Sequence, residues 1–145
     1  MKIQAILAIS SMLLTQYAHT APISEKIGIY TKPAIVGLWG MSIANNKKCT
    51  EYYNFKSNKD VLIKSGAEWS YGQYDYQPAL DTNLPAILIL NIRYDNNQED
   101  CSGVKEDQSG EITRFAVVWK TPAKIEFCEE EQLTNCFASL KRIQP

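Results

Sequence analysis

The stretch Val61-Leu62-Ile63-Lys64-Ser65-Gly66-Ala67-Glu68-Trp69-Ser70-Tyr71-Gly72-Gln73-Tyr74-Asp75-Tyr76 decides the fold. Two runs rich in β-branched and aromatic residues flank Ser65-Gly66, which is strand, turn and strand in miniature. Nothing in it recurs at helical spacing. The same grammar extends outward in both directions. Ala34 to Ala44 reads as a first strand, turned by Asn45-Asn46-Lys47-Lys48, and Cys49 to Lys56 as a second, ended by Ser57-Asn58-Lys59-Asp60. Val61 to Lys64 and Ala67 to Tyr76 are then the third and fourth. Leu84 to Tyr94, Glu111 to Lys120, Ala123 to Cys128 and Phe137 to Ile143 complete eight. Most connections are too short for the crossovers of a two-sheet sandwich, so the expected fold is all-β, an eight-stranded up-and-down antiparallel barrel.

Parity then places the cysteines. In a meander the 1–2, 3–4, 5–6 and 7–8 connections lie at one end of the barrel. Cys49 belongs to the first, Cys101 to the third, and Cys128 and Cys136 flank the fourth, so all four sulfurs share one rim. That leaves all three pairings topologically open. Cys128 with Cys136, across the loop Glu129 to Asn135, and hence Cys49 with Cys101, is the favoured pattern. A four-thiolate zinc site would show paired C-x2-4-C knuckles, which are absent, so no metal is expected.

Met1-Lys2, the apolar run from Ile3 to Leu14 and the small-residue exit to Ala18 or Ala21 form a signal-peptide pattern, with residues 22–145 as one mature barrel domain. The expectation is an exported protein, periplasmic or secreted. No cysteine stands near the cleavage site to carry a lipid, so no membrane anchor is expected. The chain of 145 residues carries 15 basic and 16 acidic side chains. Without a cationic excess to displace phosphate counterions, nucleic acid is not an expected partner. The single histidine, His19, sits at the cleavage junction, which leaves the domain without the imidazole base that Ser-His-Asp or Cys-His catalysis needs. The expectation is a non-catalytic protein with no cofactor.

Gly37-Leu38-Trp39 on the first strand, Tyr53-Asn54-Phe55 on the second, Ser65-Gly66 and Gly72-Gln73-Tyr74 together resemble the lipocalin-like group of the calycins. The resemblance spans Val36 to Arg142 and is closest to the compact bacterial lipocalin-like domains, since no stretch after the last strand could form the C-terminal helix of larger lipocalins. It implies that Trp39 closes the barrel floor with Arg142 packed over it, and that a small apolar molecule binds inside. Period-two alternation puts Trp39, Met41, Ile43, Tyr53, Phe55, Leu88, Leu90, Ile92, Phe115, Val117, Trp119, Ile125, Phe127 and Leu140 inside. The candidate ligand-binding residues are Tyr53, Phe55, Trp69, Tyr71, Phe115 and Trp119. The same aromatics could instead simply fill the barrel.

Two further expectations concern the outside. Leu84 to Leu90 is apolar on both faces, so a covering partner is expected, for which Ile23 to Tyr30, a second copy or another protein would serve. The tyrosines and tryptophan of the second and fourth strands suit a protein-binding surface, which makes an extracytoplasmic protein the alternative partner. Ser65-Gly66 is also similar to the Ser-Gly loop of bacterial periplasmic lysozyme inhibitors, although their Trp-x-Lys-Gly element is missing. The run Asp95 to Asp100 offers alternate oxygens but lacks the glycine and closing glutamate of a calcium loop, and reads as a solvated loop.

Overall fold

A computed structural model describes residues 34–44, 46–80, 84–130 and 134–145. The segment expected to be a signal peptide and the segment Ile23 to Tyr30, one of the candidates to cover β5, lie outside them. The eight strands are β1 (Gly37–Ile43), β2 (Asn46–Phe55), β3 (Asp60–Ser65), β4 (Glu68–Gln77), β5 (Ala86–Asp95), β6 (Ile112–Thr121), β7 (Lys124–Cys128) and β8 (Cys136–Gln144). Each pairs antiparallel with the next and β8 returns to β1, closing the barrel. The anticipated turn after β1 is tighter than expected: Ile43 already faces Asn46, and Asn46 to Lys48 extend β2.

Side chains fill the lower barrel. Trp39, Phe55, Val61, Leu88, Val117, Ile125, Phe127 and Leu140 are fully buried. Ring contacts span the lumen between strands that do not touch in the sheet. Trp39 of β1 meets Trp119 of β6 edge-on at 5.7 Å, and Tyr53 of β2 meets Phe127 of β7 at 5.6 Å. Phe55 and Tyr74 add a third edge-on pair at 5.0 Å. Such pairs add about 0.5–1.5 kcal/mol each beyond the area they bury.

The floor is built where β1 begins and β8 ends. The Arg142 guanidinium lies 4.2 Å above the Trp39 ring. Its Nη1 and Nη2 donate to the Val36 and Ala34 carbonyls, both at 2.6 Å, and Nε donates to the Pro122 carbonyl at 3.3 Å. Trp39 Nε1 in turn donates to the Ile35 carbonyl at 2.8 Å. Gly37 permits this approach. Its φ is +130°, and a Cβ there would stand 2.6 Å from the Gln144 carbonyl oxygen and 2.8 Å from Arg142 Nη1.

Two disulfides lace the opposite rim. Cys49 joins Cys101 and Cys128 joins Cys136, the expected pairs. Bonds of this kind persist in oxidising, extracytoplasmic compartments. The β1–β8 ladder is less complete at this end. It runs from Leu38 opposite Gln144 to Met41 opposite Leu140 and stops. Beyond it lies a groove of about 440 Å³ walled by Met41 to Ala44 and Phe137 to Ser139. On the outer face of β5, Ile87 and Ile89 are half-buried.

Candidate functional site

The disulfide-laced rim is where the interior changes character. Residues opposite each other in an antiparallel pair point to the same side of the sheet. On β4 the buried, inward phase is Glu68, Ser70, Gly72 and Tyr74, fixed by their partners Ser65, Ile63 and Val61 on β3. Trp69 and Tyr71 therefore face out, each 40% exposed, which corrects the expectation that they line the interior. The aromatic side chains suggested the wrong phase. Gly72 and Ser70 must lie inside because the bulky β3 residues Val61 and Ile63 already occupy that level. Trp69 recovers apolar contact outside by lying 5.0 Å from the Tyr94 ring.

A bulge then turns a carboxylate inward. Leu88, Leu90 and Ile92 alternate into the core, so strict alternation would place Tyr94 inside and Asp95 outside. Between Tyr71 and Gly72 the β4–β5 register slips, leaving Arg93 unmatched. Tyr94 consequently faces solvent, and Asp95 lies opposite inward-facing Ser70, only 6% exposed. Bulges commonly re-aim side chains next to functional sites. Asp95 Oδ1 accepts from the Asn97 amide at 2.6 Å, while its buried Oδ2 has no hydrogen-bond partner among the described residues.

Glu51, Ser65, Glu68, Ser70 and Asp95 thus form a polar wall on the β2–β5 side of the mouth. Ser65 Oγ donates to Glu51 Oε2 at 2.9 Å and accepts from the Cys101 amide at 3.0 Å, tying the wall to the disulfide. The Tyr53 hydroxyl donates to Glu51 Oε1. Burial foremost, then the negative charges of Asp95, Asp100, Glu51 and Glu106, raise the Glu68 carboxyl to about 7. Burial, followed by Glu51, pushes the Tyr53 phenol well above its usual range. The Ser65-Gly66 turn holds this wall in place: the Ala67 and Glu68 amides donate to the Glu99 carbonyl at 3.0 and 3.1 Å. Gly66 has φ +60°, and a Cβ there would press within 3.0 Å of the Asp100 carbonyl carbon.

The other wall is aromatic. Phe115 and Phe127 stack at 5.4 Å, and Phe137 meets Phe115 edge-on at 5.3 Å. Tyr53 joins the walls, its ring against Phe127 and its hydroxyl on Glu51. Of the candidate ligand residues, only Tyr53 and Phe115 meet at the mouth, both half-buried. Phe55 is sealed in the core below. Trp119 lies towards the floor, against Trp39, and donates from Nε1 to the Tyr76 hydroxyl at 2.8 Å.

Sequence reasoning missed Glu51, Glu68 and Asp95. Glu51 and Glu68 could have been found from parity with Tyr53 and Tyr74, but Asp95 needed the bulge. Backbone amides of the loop and of β4 take up side-chain oxygens of the Asp95 to Asp100 run. Asn96 Oδ1 accepts from the Trp69 amide and Asp100 Oδ1 from the Ser102 and Val104 amides, which is turn chemistry. Glu126, Cys128 and Cys136 cluster within ligand distance, but both cysteines are oxidised and supply no thiolate. Compared with known proteins, the chain matches no family model, no curated protein and no solved structure.

Proposed function

We propose that this is an exported, periplasmic or secreted, lipocalin-like binding protein that acts without catalysis and takes a small molecule at its disulfide-laced mouth. The observation that carries this reading is the two-sided mouth. Packed aromatics end at Tyr53, Phe115 and Phe127, and above them a buried polar wall begins. A barrel shaped for stability alone would continue the apolar packing, because buried carboxyls cost several kcal/mol unless neutralised or paired. The ligand's apolar body would lie on Phe115 and Tyr53, at the rim and not deep in the lumen where the resemblance would put it. The Ser65 and Tyr53 hydroxyls both donate to Glu51, an arrangement that orders the wall. Native mass spectrometry of protein taken from its own producing cells tests the reading. A retained small-molecule mass that leaves on denaturation is expected, and a bare chain mass from freshly isolated protein would overturn it.

A second observation favours a protein partner. Leu62, Tyr71 and Tyr94 stand side by side across β3, β4 and β5, each 40–49% exposed, with Trp69 against Tyr94. Exposed aromatics in a continuous row suit protein recognition. Under this reading the chain acts as a hydrolase inhibitor or accessory subunit, and Trp69→Ser with Tyr94→Ser abolishes partner capture or lysozyme inhibition. Unchanged capture by that double variant would remove the outer face from consideration.

A further inference from the structure

Resting on the small-molecule reading, we propose that the ligand of the mouth carries a protonated amine, which docks between Glu68 and Asp95 while its apolar part lies on Phe115. Three structural facts converge on this. Asp95 is buried, is turned inward by a bulge, and holds one carboxylate oxygen with no partner among the described residues. Ser70 lies directly opposite Asp95, and Glu68 is the next inward residue on the same strand, so the two carboxyls are diagonal neighbours on one wall. The ion pairs among the described residues are Lys59–Asp75, Arg114–Glu130, Lys120–Glu126 and Lys124–Glu126, and none reaches this wall.

Like charges held together in partial burial need either a proton or a cation. The groups facing Glu68 are Glu51 on β2, Asp95 on β5, and Asp100 and Glu106 in the β5–β6 connection, all acidic. A metal ion would use the same oxygens, but Glu51 already accepts from Tyr53 and Ser65, and the facing wall is aromatic. An ammonium on an apolar stem satisfies both walls, whereas a bare ion satisfies one.

The test is calorimetric titration of the full barrel at about pH 8 with hexylamine, hexan-1-ol, hexanoate and calcium chloride separately. A charge-assisted hydrogen bond contributes roughly 1.5–3 kcal/mol, so hexylamine should bind at least about tenfold more tightly than hexanol, with hexanoate weakest. In Glu68→Gln, and independently in Asp95→Asn, the amine's advantage over the alcohol should collapse towards one. Two folded variants keep the test open if one fails to fold. Equal binding of amine and alcohol would overturn the amine assignment and leave the binding-protein reading standing. An advantage that persists in both variants would place the amine elsewhere. Calcium alone binding in a Glu68- and Asp95-dependent manner would give the wall to a metal. Failure of all three organic probes would overturn the amine assignment, and a bare chain mass from freshly isolated protein would overturn the small-molecule reading with it.

Discussion

Replacing Glu68 by Gln should make the protein more stable, and only above a certain pH. In the folded barrel its carboxyl is raised from 4.5 to about 7. At about 1.4 kcal/mol per pH unit this is ~3 kcal/mol between the neutral and charged forms. Solvent and salt at the open mouth screen part of it, so about 1–2 kcal/mol is the expected effect. The sign follows from proton linkage. The folded state binds a proton that the unfolded chain has released, so Glu68 favours folding fully below 4.5, and this contribution is lost as pH rises through about 7. Hydrogen bonds from Gln77, Ser109 and Arg114 hold Asp75, Asp107 and Glu130 below their ordinary values. Urea unfolding of the wild-type protein should therefore show a midpoint falling by about 1 M between about pH 5 and about pH 8. The Glu68→Gln variant should be flat over the same range and exceed wild type at the alkaline end. A variant that is weaker at about pH 8, or that keeps the wild-type slope, would refute the electrostatic account of this wall.

Other changes have expected outcomes on the same urea scale. Arg142→Met removes the cation over Trp39 and three carbonyl contacts, and should lower stability by about 2–3 kcal/mol. Removing the Cys49–Cys101 bond, which spans 52 residues, should cost about 4 kcal/mol, against about 2.5 for Cys128–Cys136, which spans 8, in the chain-entropy account. The reverse order would show that these bonds act through the native state. Gly66→Ala, forced to adopt φ +60° against Asp100, should cost about 1–2 kcal/mol and shift the Glu99 and Asp100 amide resonances. Trp69→Ser should cost no more than about 1.5 kcal/mol, because it loses an exposed ring pair and no core contact.

Much of the architecture was legible from local chemistry. Ser65-Gly66 marks a turn because its glycine must take a left-handed conformation, and strand counting from there put four sulfurs on one rim without any distance information. The site was less legible, for two physical reasons. Alternation tells two faces apart but does not say which is inside. On β4 the aromatic residues Trp69 and Tyr71 competed with Ser70 and Gly72 for the interior, and the bulk of Val61 and Ile63 on the neighbouring strand decided it. Parity also fails at a bulge. Asp95 follows three correctly phased residues, Leu88, Leu90 and Ile92, yet the slip beside Tyr71 reverses its direction. Such slips depend on how a strand pairs with its neighbour and leave no mark on the strand that carries them.

The Arg142 latch also bears on how the ring assembles in time. Its guanidinium grips carbonyls 106 and 108 positions earlier in the chain, so its bonds close very long loops and are expected to form late. Bonds made that late leave the rate of folding nearly untouched and govern the rate of opening instead. Arg142→Met is therefore expected to speed opening of the closed barrel more than it slows closure, which unfolding and refolding rates would check.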